Sequence, residues 1–216
     1  SGTLLNALLF RYPSIANVPR AGIVHRLDKD TSGLLMVAKT LEAQTDLVRQ
    51  LQSRQVIRRY LALAWGQVKS QTVHASIGRD PRDRLRMALI TGSAGKPAVT
   101  HVQHLQTGAF GKAKVSLVAC RLETGRTHQI RVHLESLGNA LLGDPVYKKK
   151  NPADASQLEF SRGGQALHAA VLGIKHPKTR EELLWQAPMP DDMKELAMRL
   201  DIPVEALWPD WDSLDV

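Results

Sequence analysis

Residues 56–68 alternate large and small apolar side chains: Leu61, Leu63 and Trp65 on one parity, Ala62, Ala64 and Gly66 on the other. A period of two means a strand packed on one face. Tyr60 shares the parity of the small residues, so it can line a cleft while its large neighbours fill the core. Further strands are expected at 72–77, 85–90, 98–106, 114–122, 166–175 and 182–186. Gly92, Gly95 and Pro97 fall where turns are needed, and Gly108-Ala109-Phe110-Gly111 reads as a hairpin turn. Consecutive short strands of this kind predict a largely antiparallel sheet.

Helical spacing interrupts the strands. Residues 4–12 read as a short helix stopped by Pro13. The apolar run 33–39, too short for a helix, is expected as a buried strand. Thr40 then caps an amphipathic helix that runs to about Ser53, with Ala43, Leu47, Val48 and Leu51 on its buried face. The segment 124–134 follows a strand and opens a helix with a buried stripe of Ile130, Leu134 and Leu137. His128, Arg131 and Glu135 share the adjacent face, which lets Arg131 reach into a site beside the core, and Gly138 terminates the helix. A last helix is expected at 191–200. The fold class is α+β.

Lys and Arg total 29 against 21 Asp and Glu in 216 residues, a formal charge of +8 that favours polyanionic partners. The charge is clustered: Arg49, Arg54, Arg58 and Arg59; Arg79, Arg82, Arg84 and Arg86; and Lys148, Lys149 and Lys150. Such groups can track phosphates. Acidic residues gather from Asp191 onward, an end expected to face solvent away from a nucleic acid. One cysteine, Cys120, excludes a disulfide framework and a cysteine-based zinc site within one chain and fits a reducing compartment. No stretch approaches the roughly 18 apolar residues of a membrane span. A soluble, cytoplasmic chain without membrane association is expected. Its start at Ser1, with no methionine, suggests a piece of something longer.

Several chemistries fail on spacing. His25-Arg26-Leu27-Asp28 superficially matches a kinase catalytic loop, but no glycine-rich phosphate loop precedes it and no Asp-Phe-Gly follows. His128 and His133 diverge on a helix and lack a third ligand, so no metal is expected. Cys120 lies in an apolar strand and reads as core. The dense polar segment 24–34 remains, abutting an apolar run, as functional loops do.

In this segment the chain resembles the large ribosomal and transfer RNA pseudouridine synthase family. Residues 25–39 resemble its catalytic-aspartate motif, Arg58-Arg59-Tyr60 its tyrosine motif and 121–134 its arginine motif, in the family's order. Gly143-Asp144-Pro145-Val146-Tyr147 and Gln165-Ala166-Leu167-His168-Ala169 resemble further signatures, so the match spans roughly 3–195. Leu5-Asn6-Ala7-Leu8-Leu9 and residues 18–24 are most similar to a subgroup that modifies large-subunit (23S) rRNA. The resemblance implies the pseudouridine synthase fold, a mixed and largely antiparallel bent sheet flanked by helices and loops with a central catalytic cleft. Residues 1–200 would form the catalytic domain and 201–216 a tail whose tryptophans pack. The family's S4-like domain and its strand motif with Lys-Pro-x-Gly are not matched in this sequence.

The same resemblance implies a cofactor-free enzyme, expected to be a monomer, acting on structured RNA. Asp28 would be the nucleophile, Arg131 its partner and Tyr60 the residue stacking on the target base. Arg26 would enter the RNA in place of the flipped base, with a phosphate clamp as its alternative role. His25, Lys29, Arg58, Arg59 and Arg126 are the accompanying RNA-contact candidates, His25 with a structural alternative. Leu27, Ile130 and Leu167 would wall the pocket, and His168 reads as structural. Catalytic motifs do not encode the target, so transfer RNA, another rRNA site and a non-catalytic assembly factor stay open.

Overall fold

The computed structural model describes residues 2–147, 158 and 163–212. Lys148, Lys149 and Lys150 lie outside the described residues. The elements run α1 (Leu4–Arg11), β1 (Ser32–Gly33), α2 (Leu41–Gln52), β2 (Ile57–Trp65), β3 (Gln71–His74), β4 (Ile77–Arg79), β5 (Met87–Leu89), β6 (Val99–Phe110), β7 (Ala113–Leu122), α3 (Gln129–Ser136), β8 (Leu167–Lys175), β9 (Glu182–Gln186) and α4 (Asp191–Met198). Among the described residues, seven strands form one sheet in the order β1-β8-β2-β7-β6-β3, with β9 also on β8. All its pairings are antiparallel except β1 with β8. Strands β4 and β5 make a separate hairpin.

The alternation in β2 divides the interior as its side-chain sizes require. Leu61, Leu63 and Trp65 pack with Leu117, Met193, Leu196 and Trp211 on one face. Tyr60, Ala62 and Ala64 lie on the other with Cys120, Ile130 and Leu134. Full burial of a leucine contributes about 1.5–3 kcal/mol, so the first face anchors the sheet. The small residues of the second leave room for α3 and for a cleft. Ile202 and Trp211 complete the first core, while Trp208 meets Trp211 edge-on and is half-exposed. Among the described acidic residues of this end, Asp191, Glu195, Asp201, Glu205, Asp210 and Asp212 are exposed.

Thr40 caps α2 as expected, its Oγ1 accepting from the Ala43 amide at 3.1 Å. Gly138 ends α3 at φ 78°, with the Asn139 amide donating to the Leu134 carbonyl. The other expectations differ at the edges. The run 33–39 is not a full strand: only Ser32–Gly33 pairs with β8, and Val37 makes a single bridge to Ile23. Its amides at Leu34, Met36 and Ala38 go instead to the Ala169 carbonyl, the His25 ring and the Gly22 carbonyl. Burial under α2 explains the apolar composition without a ladder. The expected strand at 72–77 breaks between β3 and β4, and that at 85–90 shrinks to β5.

The hairpin turn falls at 111–112 and not at 108–111, because β6 continues to Phe110 and pairs it with Ala113. Gly108 is glycine for a different reason: a Cβ there would collide with the Leu200 carbonyl, where the Ala109 amide donates at 3.0 Å.

Candidate active site

The loop carrying His25 to Thr31 leads into β1 and is tied down at several points. His25 Nε2 accepts the Met36 amide at 2.9 Å, which requires an unprotonated nitrogen. Burial, helped by the nearby charge of Arg58, pushes the His25 pKa down to about 4. Gln165, 1% exposed, donates through Nε2 to the Lys29 carbonyl at 2.6 Å and to Thr31 Oγ1 at 2.8 Å. Ser32 Oγ meets His168 Nδ1 at 2.8 Å, and His168 Nε2 lies 3.0 Å from the Ala187 carbonyl. A carbonyl only accepts, so Nε2 carries a proton towards Ala187. These bonds fix the backbone on both sides of Asp28.

Asp28 meets the side chain that α3 sends across. Arg131 Nη1 lies 3.4 Å from Asp28 Oδ2, and the two side chains are 4% and 14% exposed. Arg131 is itself held by Asp144, with Nε to Oδ2 at 2.7 Å and Nη2 to Oδ1 at 2.9 Å. Asp144 Oδ1 also accepts the amides of Val146 and Tyr147, each at 2.9 Å. The two-point grip sets the guanidinium plane and leaves Nη1 for Asp28. Burial opposes the Arg131 charge, yet the hydrogen bonds and charge of Asp144, then those of Asp28, hold its pKa above the ordinary arginine value.

The face expected to join His128, Arg131 and Glu135 is built around Tyr147, which is fully buried. His128 Nδ1 is 2.9 Å from its hydroxyl, and the Arg131 guanidinium sits 5.0 Å from its ring centroid. Arg86 stacks on the same ring at 5.0 Å and pairs with Glu135 at 2.9 Å. Arg86 thus braces the site from inside, whereas Arg79, Arg82 and Arg84 of the same cluster are exposed.

A cleft of about 580 Å³ opens over Asp28. Leu27, Ile130 and Leu167 line it, with Tyr60, 8% exposed, beside them. Burial pushes the Tyr60 phenol up to about 12, so it stays protonated at neutral pH and suits stacking better than proton abstraction. Arg20, Arg26, Arg54, Arg58 and Arg126 also line the cleft against the carboxylates of Asp28 and Glu123. Glu123 is engaged by Arg54 at 3.1 Å and His101 at 2.8 Å. The surplus of positive charge suits a polyanion.

Two RNA-contact candidates stand elsewhere. Arg59 points to the opposite face of β2, over the Trp211 ring at 5.8 Å, because adjacent strand residues alternate. Lys29 is exposed and offers its carbonyl to Gln165, and its side chain does not line the cleft. His25 lines the cleft, but as a neutral acceptor holding the loop and not as a cationic phosphate ligand. Residue reasoning assigned no role to Asp144, Tyr147 or Gln165. The only signal was their place in the segments 143–147 and 165–169.

A family model described as RNA pseudouridylate synthase matches residues 3–136, and the chain belongs to that family. Among its relatives is the ribosomal large subunit pseudouridine synthase D of Nitrosomonas europaea, 54% identical over 197 residues, covering 90% of this chain and 56% of the relative. The protein of the same name from Escherichia coli strain K12 is 48% identical over 221 residues, covering 97% of this chain and 65% of the relative. This chain therefore spans between about half and two thirds of the length of these curated relatives. Among solved structures, human RNA pseudouridylate synthase domain containing 1 aligns with TM-score 0.70 and 28% identity over 90% of this chain and 78% of that one. Among the described residues no helix is long and apolar enough to cross a membrane.

Proposed function

We propose that the protein isomerises uridine to pseudouridine in RNA, with large-subunit ribosomal RNA as its substrate and Asp28 as the nucleophile. The observation that carries this reading is Asp28 lining a basic cleft, in contact with an arginine whose orientation is fixed from behind by a second carboxylate. The reaction breaks the bond between ribose C1′ and uracil N1, turns the base and joins C1′ to C5; N1 gains a proton and C5 loses one. No electrons are exchanged, so a carboxylate suffices as the reacting group, by forming a covalent adduct or by stabilising a cationic sugar. Arg131 aims Asp28 through its guanidinium contact. Tyr60 offers a ring for the base, and Leu27, Ile130 and Leu167 exclude water from it. A flipped base leaves a gap in the RNA stack, and Arg26, exposed at the cleft mouth, is placed to fill it. The names of the relatives support the choice of RNA.

The test is Asp28→Asn. Pseudouridine formation is expected to vanish while folding and RNA affinity stay within a few-fold. Chemical mapping of pseudouridines in rRNA from cells carrying the full-length variant reads the outcome. Persistence of every large-subunit pseudouridine in cells lacking the wild-type gene would refute the substrate assignment.

A further inference from the structure

Arg58 projects from β2 on the same face as Tyr60 and is only 7% exposed. Its Nη2 donates to the Glu123 carbonyl at 3.2 Å, and its buried Nε has no hydrogen-bond partner. Among the described residues no carboxylate forms an ion pair with it: the nearby Glu123 carboxylate is taken by Arg54 and His101. Of its other neighbours, His25 is neutral and the Tyr60 phenol is protonated, while Asp28, in the same cleft, is paired with Arg131. Space has also been kept for the guanidinium. A Cβ on Gly125 would lie 2.5 Å from Nη1. Arg59, next along the strand, is the contrast: it lies on the far face, over Trp211 and near Asp212.

A desolvated guanidinium with one carbonyl for company is unfavourable unless an anion arrives to pair with it. The cleft is where one can arrive, and Arg54 and Arg126 line the approach. We infer that Arg58 is the base of an anion subsite in the cleft, and that it takes a backbone phosphate of the bound nucleic-acid strand. The identity of that anion rests on the RNA reading above, whereas the subsite itself rests on burial and missing partners. Arg58 would then position the strand next to Asp28 without touching the reacting atoms.

The experiment uses the intact protein and its Arg58→Met and Arg58→Lys variants, with inorganic phosphate and an RNA stem-loop as probes. At constant ionic strength, phosphate is expected to raise the melting temperature of the wild type but not of Arg58→Met, whose melting temperature without phosphate equals or exceeds the wild-type value. RNA affinity of Arg58→Met is expected to fall roughly tenfold, and the slope of log affinity against log salt to become shallower by about 0.7–0.9, one phosphate contact. Arg58→Lys keeps the slope. A lower melting temperature for Arg58→Met with an unchanged salt slope would show a structural arginine and overturn the inference, as would equal phosphate stabilisation of both proteins. An Arg58-dependent slope in a protein that makes no pseudouridine would uphold the subsite while refuting the isomerase reading.

Discussion

Replacing Asp144 by asparagine changes almost no volume, yet it removes the charge and one of the two acceptors that hold Arg131. Oδ1 can keep the Val146 and Tyr147 amides at 2.9 Å, but an amide nitrogen in place of Oδ2 would face Arg131 Nε, donor against donor, where 2.7 Å now separates them. The Asp144 side chain is 0% exposed and that of Arg131 4%, so the guanidinium, left with Asp28 as its one carboxylate, cannot reach water without moving. Breaking a buried pair by removing one partner costs about 3–5 kcal/mol. Against a typical total of about 5–15 kcal/mol, the variant should still fold at 25 °C. Its melting temperature should drop by on the order of 10 °C. Urea unfolding followed by tryptophan fluorescence should show a lower midpoint with an unchanged slope. Adding Arg131→Met should restore part of the loss, because the buried guanidinium left with only Asp28 to balance it is gone. A cost below about 1 kcal/mol, or a double variant no more stable than the single one, would mean that the pair does not anchor the site.

His25 gives a pH prediction. Its ordinary pKa of 6.5 falls to about 4 in the folded protein, so between those values the unfolded chain binds a proton that the folded chain refuses. Stability therefore declines as pH falls from 6.5 towards 4, by at most about 3 kcal/mol from this residue. His25→Gln, which can still accept the Met36 amide, should flatten the decline relative to wild type; identical pH profiles would contradict a buried neutral imidazole. Gly33→Ala should destabilise by about 2–5 kcal/mol, since φ is 104° and a Cβ would strike the Ala169 carbonyl across the β1–β8 pairing. Gly92→Ala, at φ 78° with open space around it, is the control and should cost only about 1–2 kcal/mol in urea unfolding.

Much of the scaffold was legible in residue order because its causes are local. The alternation in β2 placed Tyr60 on the roomy face before any partner strand was known, and Thr40 and Gly138 marked helix ends through bonds that span three to five positions. The run 33–39 misled because continuous apolar composition reports burial, not pairing, and beyond the Leu34 amide, which reaches a β8 carbonyl, its amides at Met36 and Ala38 found a histidine ring and the Gly22 carbonyl. The same limit applied to the arginines. Their clustering announced a polyanion, but strand parity sent Arg59 away from the cleft and a ring contact turned Arg86 inward.

What the sequence determined by itself was the set of residue types offered to the cleft and the faces that carry them, since caps and periods depend on near neighbours. Only the tertiary structure decided how Asp28 is aimed. That depends on Arg131, 103 positions along the chain, gripped by Asp144, and on Gln165, 136 positions from Lys29, fastening the loop. Side chains so far apart in sequence leave no periodic trace, and only folding shows which carboxylate clamps Arg131 from behind and which one lines the cleft.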